Sequence, residues 1–459
     1  MTSWRPRLAR RTGRSATARL DPPLYARIVD ALAADIAEGQ LVPGARLPTQ
    51  RELAEAVGTT VATVTRSYSE ARRRGLVDAT VGRGTFVREA MYAPASRGPV
   101  DLTVNSLAAA PFVGGMLASL GACVDGAAGE ALLSYQPHQG HARHREAGAA
   151  WLQARGITAS PADVVVTAGA QHAMLVALAS LTRPRDVVLV ERLTYPGVKS
   201  LANHLHLRLE PIDIDEEGML PTALADAAAR TRARVIYAMP TLHNPTASTM
   251  SAARRREIVE VVERHGLTFI EDDQYGFLSD ETPLVAALPD RVVHISSLSK
   301  SLAAGLRVGF LHAPSALIQR LAAAVFASSV MASPVTAELA ARWIADGTAR
   351  RIVEWKRDEF AARQQIARRI LGWRAPRSSS PHVWLPMPGA IAAEDFVEQA
   401  RLRGVLVSAS PAFSVGPARP DRAVRICLGP PPSRDALEEA LRILAGVVKD
   451  PPRPHAAVV

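Results

Sequence analysis

The sequence predicts an α/β protein in two unequal modules, and three observations predict it. An arginine-rich N-terminal stretch has helical periodicity, β-rich runs alternate with helical segments through most of the remainder, and a short aperiodic stretch separates the two. With 459 residues the chain is long enough for several domains at roughly 100 to 200 residues each. Its usage, 48% hydrophobic and 21% charged, excludes a mostly disordered chain. Two cysteines, Cys123 and Cys427, are too few for a disulfide framework, and no Cys/His cluster has metal-ligand spacing, so no metal is expected. The low cysteine count makes a reducing cytoplasm the expectation, and since no apolar run approaches the roughly 18 residues of a spanning helix, no membrane span is expected.

Charge is unevenly distributed. Of the net +10, residues 1–90 contribute +6, from 15 arginines, no lysine and 9 acids, and residues 91–459 only +4. Residues 1–20 hold Arg5, Arg7, Arg10, Arg11, Arg14 and Arg19 without an acid. An organelle transit peptide shares that composition, but the segment that follows favours a basic, flexible tail beside a nucleic-acid surface.

Residues 21–90 form the first module. Leu24, Ile28, Leu32 and Ile36 recur every four residues between Pro22–Pro23 and Gly39, predicting an amphipathic helix. Thr49 stands three residues before Glu52, the spacing of a capping box, and opens a short helix ending near Gly58. Thr60 caps a third helix with Val61, Val64, Tyr68 and Ala71 on one side and Ala62, Arg66, Ser69 and Arg73 opposite. Two short helices about a glycine turn, the second small and basic on its outer face, match helix-turn-helix geometry. Leu76 and Val77, then Gly82, Gly84 and Thr85–Val87, read as two strands about a glycine turn, a wing.

The string LPTQRELAEAVGTTVATVTRSYSEARRRGLVDATVGRGTFV resembles the winged-helix reader of GntR-family transcription regulators. The resemblance implies that Arg51 and Arg66 contact duplex DNA, that Thr60 and Thr63 face the groove, and that Arg83 and Gly84 form the wing tip. Val61 stands where the family often has an arginine, so guanine readout is not available there. Residues 91–100, MYAPASRGPV, read as a linker.

Residues 101–459 form the second module. VVVTAG, VVLVE, VIYAMP, LTFIEDD and VVHISSLSK alternate with helical segments, predicting a largely parallel sheet with its ligand at the carboxyl ends of the strands. The residues just after these runs fit the needs of pyridoxal phosphate. Lys300 is a reachable amine for a Schiff base in a chain with few lysines, and Asp272, ending LTFIE, can pair with a pyridine nitrogen. Asn244 and Tyr275 can bond a phenolate oxygen. Gly169, Ala170 and Gln171 open a helix and supply backbone N–H groups to a phosphate, joined by Ser297, Ser299 and Arg307. Tyr195 can stack on the ring, and Arg425 can hold a carboxylate bidentately. Each residue alone also has an ordinary structural role, a strand cap, a turn or a surface cation.

These motifs, SLSKSLAAGLRVGF above all, resemble the fold-type I aminotransferases over roughly residues 100–450. The resemblance implies a seven-stranded, largely parallel sheet with a smaller C-terminal α/β subdomain, and a site built at a dimer interface. It implies Lys300 as the internal aldimine lysine, the other residues in the roles given, and Tyr135 in LSYQPHQGHARHREA reaching the neighbouring subunit's phosphate. Three positions depart from the family's pattern: Ala247 replaces the common glycine of NPTA, His243 precedes Asn244, and Asn105 stands where many members carry a glycine-containing substrate loop.

A GntR reader fused to an aminotransferase-like body resembles the MocR-type transcription regulators along nearly the whole chain. That resemblance implies a homodimer controlling transcription, with pyridoxal phosphate and an amino-acid or amine effector shifting it between DNA-bound arrangements. The rival expectations are a working aminotransferase carrying a DNA-binding module and, more remotely, a reservoir for the cofactor.

Overall fold

A computed structural model describes residues 23–37, 41, 45–73, 76–80, 84–87, 98–107, 110–123, 127–372, 379–389, 391–417 and 421–449. The chain divides into two compact units, residues 1–98 and 99–459. The basic tail, most of the linker, Gly82 and Arg83 lie outside the described residues.

The first unit comprises the helices Leu24–Ala37, Gln50–Val57 and Val61–Arg73, followed by antiparallel strands Val77–Thr80 and Gly84–Val87. Ile28, Val29, Leu32, Leu53, Val64, Tyr68 and Ala71 meet in one core, as their spacing requires. The capping box is formed: Glu52 N–H donates to Thr49 Oγ1 at 3.3 Å, and Thr49 N–H donates to Glu52 Oε2 at 2.8 Å. Gly58, at φ 67°, ends the second helix in the left-handed conformation that a glycine adopts without strain. Val61 departs from its expected inner face and is 43% exposed. It is the first residue of its helix, where the side chain leans back past the N-terminus and beyond the cover of neighbouring helices.

The second unit is built on seven strands in the spatial order Val164–Thr167, Gly309–His312, Val292–Ser297, Thr268–Asp272, Val235–Ala238, Val187–Glu191 and Arg208–Ile212. All neighbours are parallel except Gly309–His312, which is antiparallel to both of its own. Along the strands, side chains alternate between two cores. Val164, Val166, Leu189, Ile236 and Phe269 enter one, and Val165, Val188, Val190, Tyr237 and Ile270 the other. Burial on both faces explains why these strands are continuous apolar runs. A three-stranded antiparallel sheet, with Ala423–Cys427 between His382–Pro386 and Ser408–Ala409, packs on helices Ala393–Leu402 and Arg434–Lys449 as a smaller C-terminal subdomain with its own core. Val100–Asp101 pairs there with Val405–Leu406, which brings the start of this unit, including Thr103 and Asn105, back to the large sheet's carboxyl edge.

Candidate functional site

At that edge a cavity of about 290 Å³ collects most of the residues singled out in the sequence. Asp272 ends its strand and is 1% exposed. Tyr237 donates its hydroxyl to Oδ2 at 2.7 Å and Gln274 donates Nε2 to Oδ1 at 2.9 Å. Burial nonetheless pushes this carboxyl up to about 6, only partly opposed by those donors, so it is a carboxylate short of a cation.

Lys300 lies in the short helix Leu298–Ser301 that leaves the strand Val292–Ser297. Its Nζ donates to the backbone carbonyl of Asn105. Burial lowers its pKa, and the Arg425 and Arg307 guanidiniums act in the same direction, favouring the uncharged, nucleophilic amine. Lys356, on the helix Thr348–Leu371, stands behind it and donates to the carbonyls of Lys300 and Leu302 at 2.9 Å each. Burial, then the charge of Lys300, pulls Lys356 down to about 7.

One end of the cavity is suited to an anion. Arg307 donates Nη1 to Ser299 Oγ at 3.0 Å and Nη2 to the Ala168 carbonyl at 3.3 Å, while Ser299 N–H donates to Ser297 Oγ at 3.1 Å. The helix Ala170–Leu181 starts beside that guanidinium, with Gly169 at its N-cap. A Cβ on Gly169 would lie 2.7 Å from Arg307 Nη2 and would displace that guanidinium, and at φ 84° the backbone is in a region that side chains rarely adopt. Ala170 and Gln171, in the first turn with uncommitted backbone donors, line the cavity, as does half-buried Tyr195.

Arg425 occupies the opposite side. It is 8% exposed, donates Nη1 to Asn244 Oδ1 at 2.8 Å and Nη2 to the Thr103 carbonyl, and leaves Nε without a partner among the described residues. The bond uses the Asn244 acceptor and leaves that amide's donor nitrogen for a ligand.

Asn105 joins residues that sequence reasoning did not connect. Its Nδ2 donates to the Tyr275 hydroxyl at 2.9 Å and lies 2.9 Å from His382 Nδ1. His382 Nε2 lies 3.1 Å from the His243 carbonyl, which can only accept, so Nε2 carries the proton and Nδ1 accepts from Asn105. Burial, helped by Arg425, pulls His382 down to about 3 and keeps the ring neutral. Both Asn105 N–H groups are then committed. The Tyr275 oxygen accepts one of them and keeps its own proton to donate into the cavity. Asn105 and His243 were visible as departures from a pattern, but His382, far away in the chain, gave no signal. Tyr237 did give one, since a tyrosine in a fully buried strand needs a partner for its hydroxyl. His243 itself is buried between Glu191, 3.4 Å from Nε2, and Thr246, whose Oγ1 is 2.7 Å from Nδ1. Ala247 adopts φ 61°, which explains why a glycine is the usual occupant. Tyr135 is not brought to the cavity and is 85% exposed.

In the first unit, Arg51, Thr60, Arg66 and Gly84 are exposed and Thr63 partly so. Thr60 Oγ1 and Thr63 Oγ1 are 3.0 Å apart, and Thr65 donates to Gln50 Oε1 at 3.0 Å, tying the two helices of the turn together. The Arg66 guanidinium lies 4.1 Å over the Tyr25 ring, a cation–π contact. Arg46, not singled out in the sequence, packs beside the wing at Gly84, where a Cβ would lie 3.1 Å from its Nε.

Among the described residues no group of His, Cys, Asp and Glu is arranged to hold a metal, and no helix is long and apolar enough to cross a membrane.

Comparison with known proteins agrees with both units. Residues 24–87 match the gntR family of bacterial regulatory proteins, and residues 103–444 match aminotransferase class I and II. The HTH-type transcriptional regulator YdeF of Bacillus subtilis is 31% identical over 98% of this chain and 97% of its own. The HTH-type transcriptional regulator TauR of Rhodobacter capsulatus is 28% identical over 59% of this chain and 57% of its own. Among solved structures, Pyrococcus horikoshii kynurenine aminotransferase, in complex with PMP, superposes with a TM-score of 0.71 at 22% identity, covering 77% of this chain and 92% of its own. Thermus thermophilus α-aminoadipate aminotransferase LysN, complexed with N-(5'-phosphopyridoxyl)-L-leucine, gives 0.69 at 23% identity, covering 77% and 93%. At such identities the likeness is one of fold, and the fold is that of pyridoxal-phosphate-dependent enzymes. The chain belongs to the aminotransferase class I and II family by its larger unit and to the gntR family by its smaller one, the two-part build of the MocR-type transcription regulators.

Proposed function

We propose that this protein is a DNA-binding transcription regulator whose aminotransferase-like unit binds pyridoxal phosphate and senses an amino compound there. The observation that carries the reading is the presence in one chain of a GntR reader and a cavity with Lys300, Asp272 and Arg425 on its walls.

The residues fit the cofactor. Asp272 lacks a cation, which a protonated pyridine nitrogen supplies. Arg307, Ser297, Ser299 and the first turn from Gly169 to Gln171 form an anion cradle that a Cβ at Gly169 would disturb. Tyr275 has a proton to donate to a phenolate oxygen, and Asn244 an uncommitted donor. Tyr195 offers a ring face, and Lys300 an amine whose pKa is lowered.

Bound there, pyridoxal phosphate supplies an aldehyde that condenses with amines. The protein's own groups do the rest. Lys300 offers and takes back a proton at Nζ, Asp272 holds the opposite end of the ring by charge, and Arg425, on the cavity wall, orients the carboxylate of an amino acid by the charge of its guanidinium. At the first unit, Arg51, Thr60, Thr63, Arg66 and Gly84 form the DNA-facing surface. A homodimer, with Tyr135 reaching the partner's phosphate, belongs to the same proposal and accounts for that tyrosine's exposure.

Footprinting on the DNA upstream of the protein's own gene, with and without pyridoxal phosphate and a panel of amino acids, tests the reading. Protection altered by an amino compound, and insensitive to it in Lys300→Ala, is the expected result. Sustained amino-group transfer to a keto acid, with DNA binding indifferent to every amino compound, would replace regulation with catalysis.

A further inference from the structure

The edge where the parallel strands begin, opposite the cavity, carries a second concavity. Arg183 and Arg185 follow the helix Ala170–Leu181 and lead into the strand Val187–Glu191. Arg232 and Arg234 stand in the same way between the helix Pro221–Thr231 and the strand Val235–Ala238, and Arg208 opens the strand Arg208–Ile212. These three strands are direct neighbours, with Val187 opposite Arg208 and Val188 opposite Val235. Arg320, from the helix Ser315–Ser329, closes a crevice of about 540 Å³ lined by all of these arginines except Arg208.

Among the described residues, none of the six guanidiniums has a hydrogen-bond or ion-pair partner. Asp186 is the one carboxylate lining the crevice, and it accepts from the Arg183 backbone N–H at 2.8 Å. Five arginines against one acid line the crevice, a local +4 equal to the whole net charge of residues 91–459, and Arg208 stands beside them. Positive charge in this unit is therefore concentrated on this edge.

Arginines after helix C-termini ordinarily complement the helix dipole. The bonding here does not follow that pattern. Thr182 and Thr231 already donate their hydroxyls to last-turn carbonyls, Leu178 at 2.6 Å and Ala227 at 2.7 Å, and the arginine side chains donate to none. Arg185 and Arg232 also adopt φ 76° and 55°, left-handed positions where glycine or asparagine is the usual occupant. A cationic side chain stands at both despite the backbone cost.

We infer that this arginine edge binds the phosphodiester backbone of duplex DNA. Guanidinium forks match phosphate oxygens bidentately, and cations spread over three adjacent strand starts suit a chain of phosphates. Two helices present their C-termini, the negative ends of their dipoles, to the crevice. That disfavours a small anion seated deep within it and favours one lying across the rim, within reach of long exposed side chains. The inference rests on reading the chain as a DNA-binding regulator, and it adds a sequence-independent grip on the unit that does not contain the reader.

The test uses full-length protein and the variant Arg185→Asn/Arg232→Asn/Arg234→Gln, in which asparagine tolerates the left-handed positions. Binding to the operator duplex is measured across salt, beside a scrambled duplex. The slope of log K against log salt is expected to flatten by about 0.9 for each phosphate no longer neutralised, up to nearly threefold that in all. The preference for operator over scrambled DNA and the melting temperature should remain unchanged, because phosphate contacts carry no sequence information. Equal slopes for wild type and variant, both binding the operator, would overturn the arginine edge and leave the regulator reading standing. A wild type that binds neither duplex would instead overturn the regulator reading on which the edge depends. Inorganic pyrophosphate raising the melting temperature of the wild type but not the variant, with DNA slopes equal, would assign the crevice to a small polyanion and sink the DNA proposal.

Discussion

Asp272 concentrates what a single residue can show about this site. Burial holds its carboxyl at about 6 against an ordinary 3.8, so between those pH values the folded, cofactor-free protein binds the extra proton. Stability from this group therefore falls as pH rises through that window and stays lost above it. The distance from 3.8 to about 6 corresponds to about 3 kcal/mol. Asp272→Asn is accordingly expected to stabilise the cofactor-free protein by about 1 to 3 kcal/mol at pH 8, with little effect below pH 4, while weakening cofactor binding. Denaturation at the two pH values checks this, and equal stability at pH 8 would mean that the buried carboxylate is already compensated. A second residue-scale expectation follows from Asn105. In His382→Phe the amide loses the acceptor that fixes its orientation, so the Tyr275 proton is no longer directed into the cavity. A cofactor-dependent visible band should persist but change colour at a different pH. An unchanged pH profile would reduce His382 to packing. Lys300 and Asp272 were legible in the sequence because their chemistry is unusual at the end of a strand, and Arg425 because a cation is unusual inside an apolar one. His382 was not, because its role exists only through a contact made across the fold.

At the scale of elements, period and punctuation carried most of the information. The four-residue spacing from Leu24 to Ile36, the Thr49–Glu52 box and Gly58 each mark a feature that is formed in the first unit, and the apolar runs of the second are the strands of its sheet. The exception at Val61 arises because periodicity assumes cover on every turn, and a helix's first turn projects beyond its neighbours. The pairing of Val100–Asp101 with Val405–Leu406, and the antiparallel setting of Gly309–His312, depend on partners distant in sequence and leave no local mark. The capping box offers a direct test of how much local order the reader needs. Thr49→Ala removes the acceptor for the Glu52 N–H and the partner that positions the Glu52 carboxylate. It should cost the reader about 1 kcal/mol, seen as a lower denaturant midpoint for the first unit with the midpoint of the second unchanged. A loss smaller than a few tenths of a kcal/mol would show that tertiary packing alone holds that helix.

For the whole molecule, the question is whether two units of different ancestry act as one device. A cavity that binds an amino compound and a surface that binds DNA make a regulator only if each ligand prefers the same conformational state. Such preference is a coupling free energy, and it is reciprocal. If an amino compound changes operator affinity tenfold, a coupling of about 1.4 kcal/mol, operator DNA must change the affinity for that compound by the same factor and in the same direction. The prediction is therefore a closed cycle: operator affinity with and without the compound, and compound affinity, read from the visible band, with and without operator DNA. The two ratios should agree. Two ratios of one would leave a DNA-tethered enzyme, because a ligand that binds both states equally shifts neither. Lys300→Ala extends the argument to the cofactor. If the amino compound acts through condensation in the cavity, that variant should lose the coupling while retaining operator affinity, since Lys300 lies in the unit that does not contain the reader. Coupling that survives the loss of Lys300 would move the sensing step away from Schiff-base chemistry, to Arg425 and the carboxylate it is placed to hold.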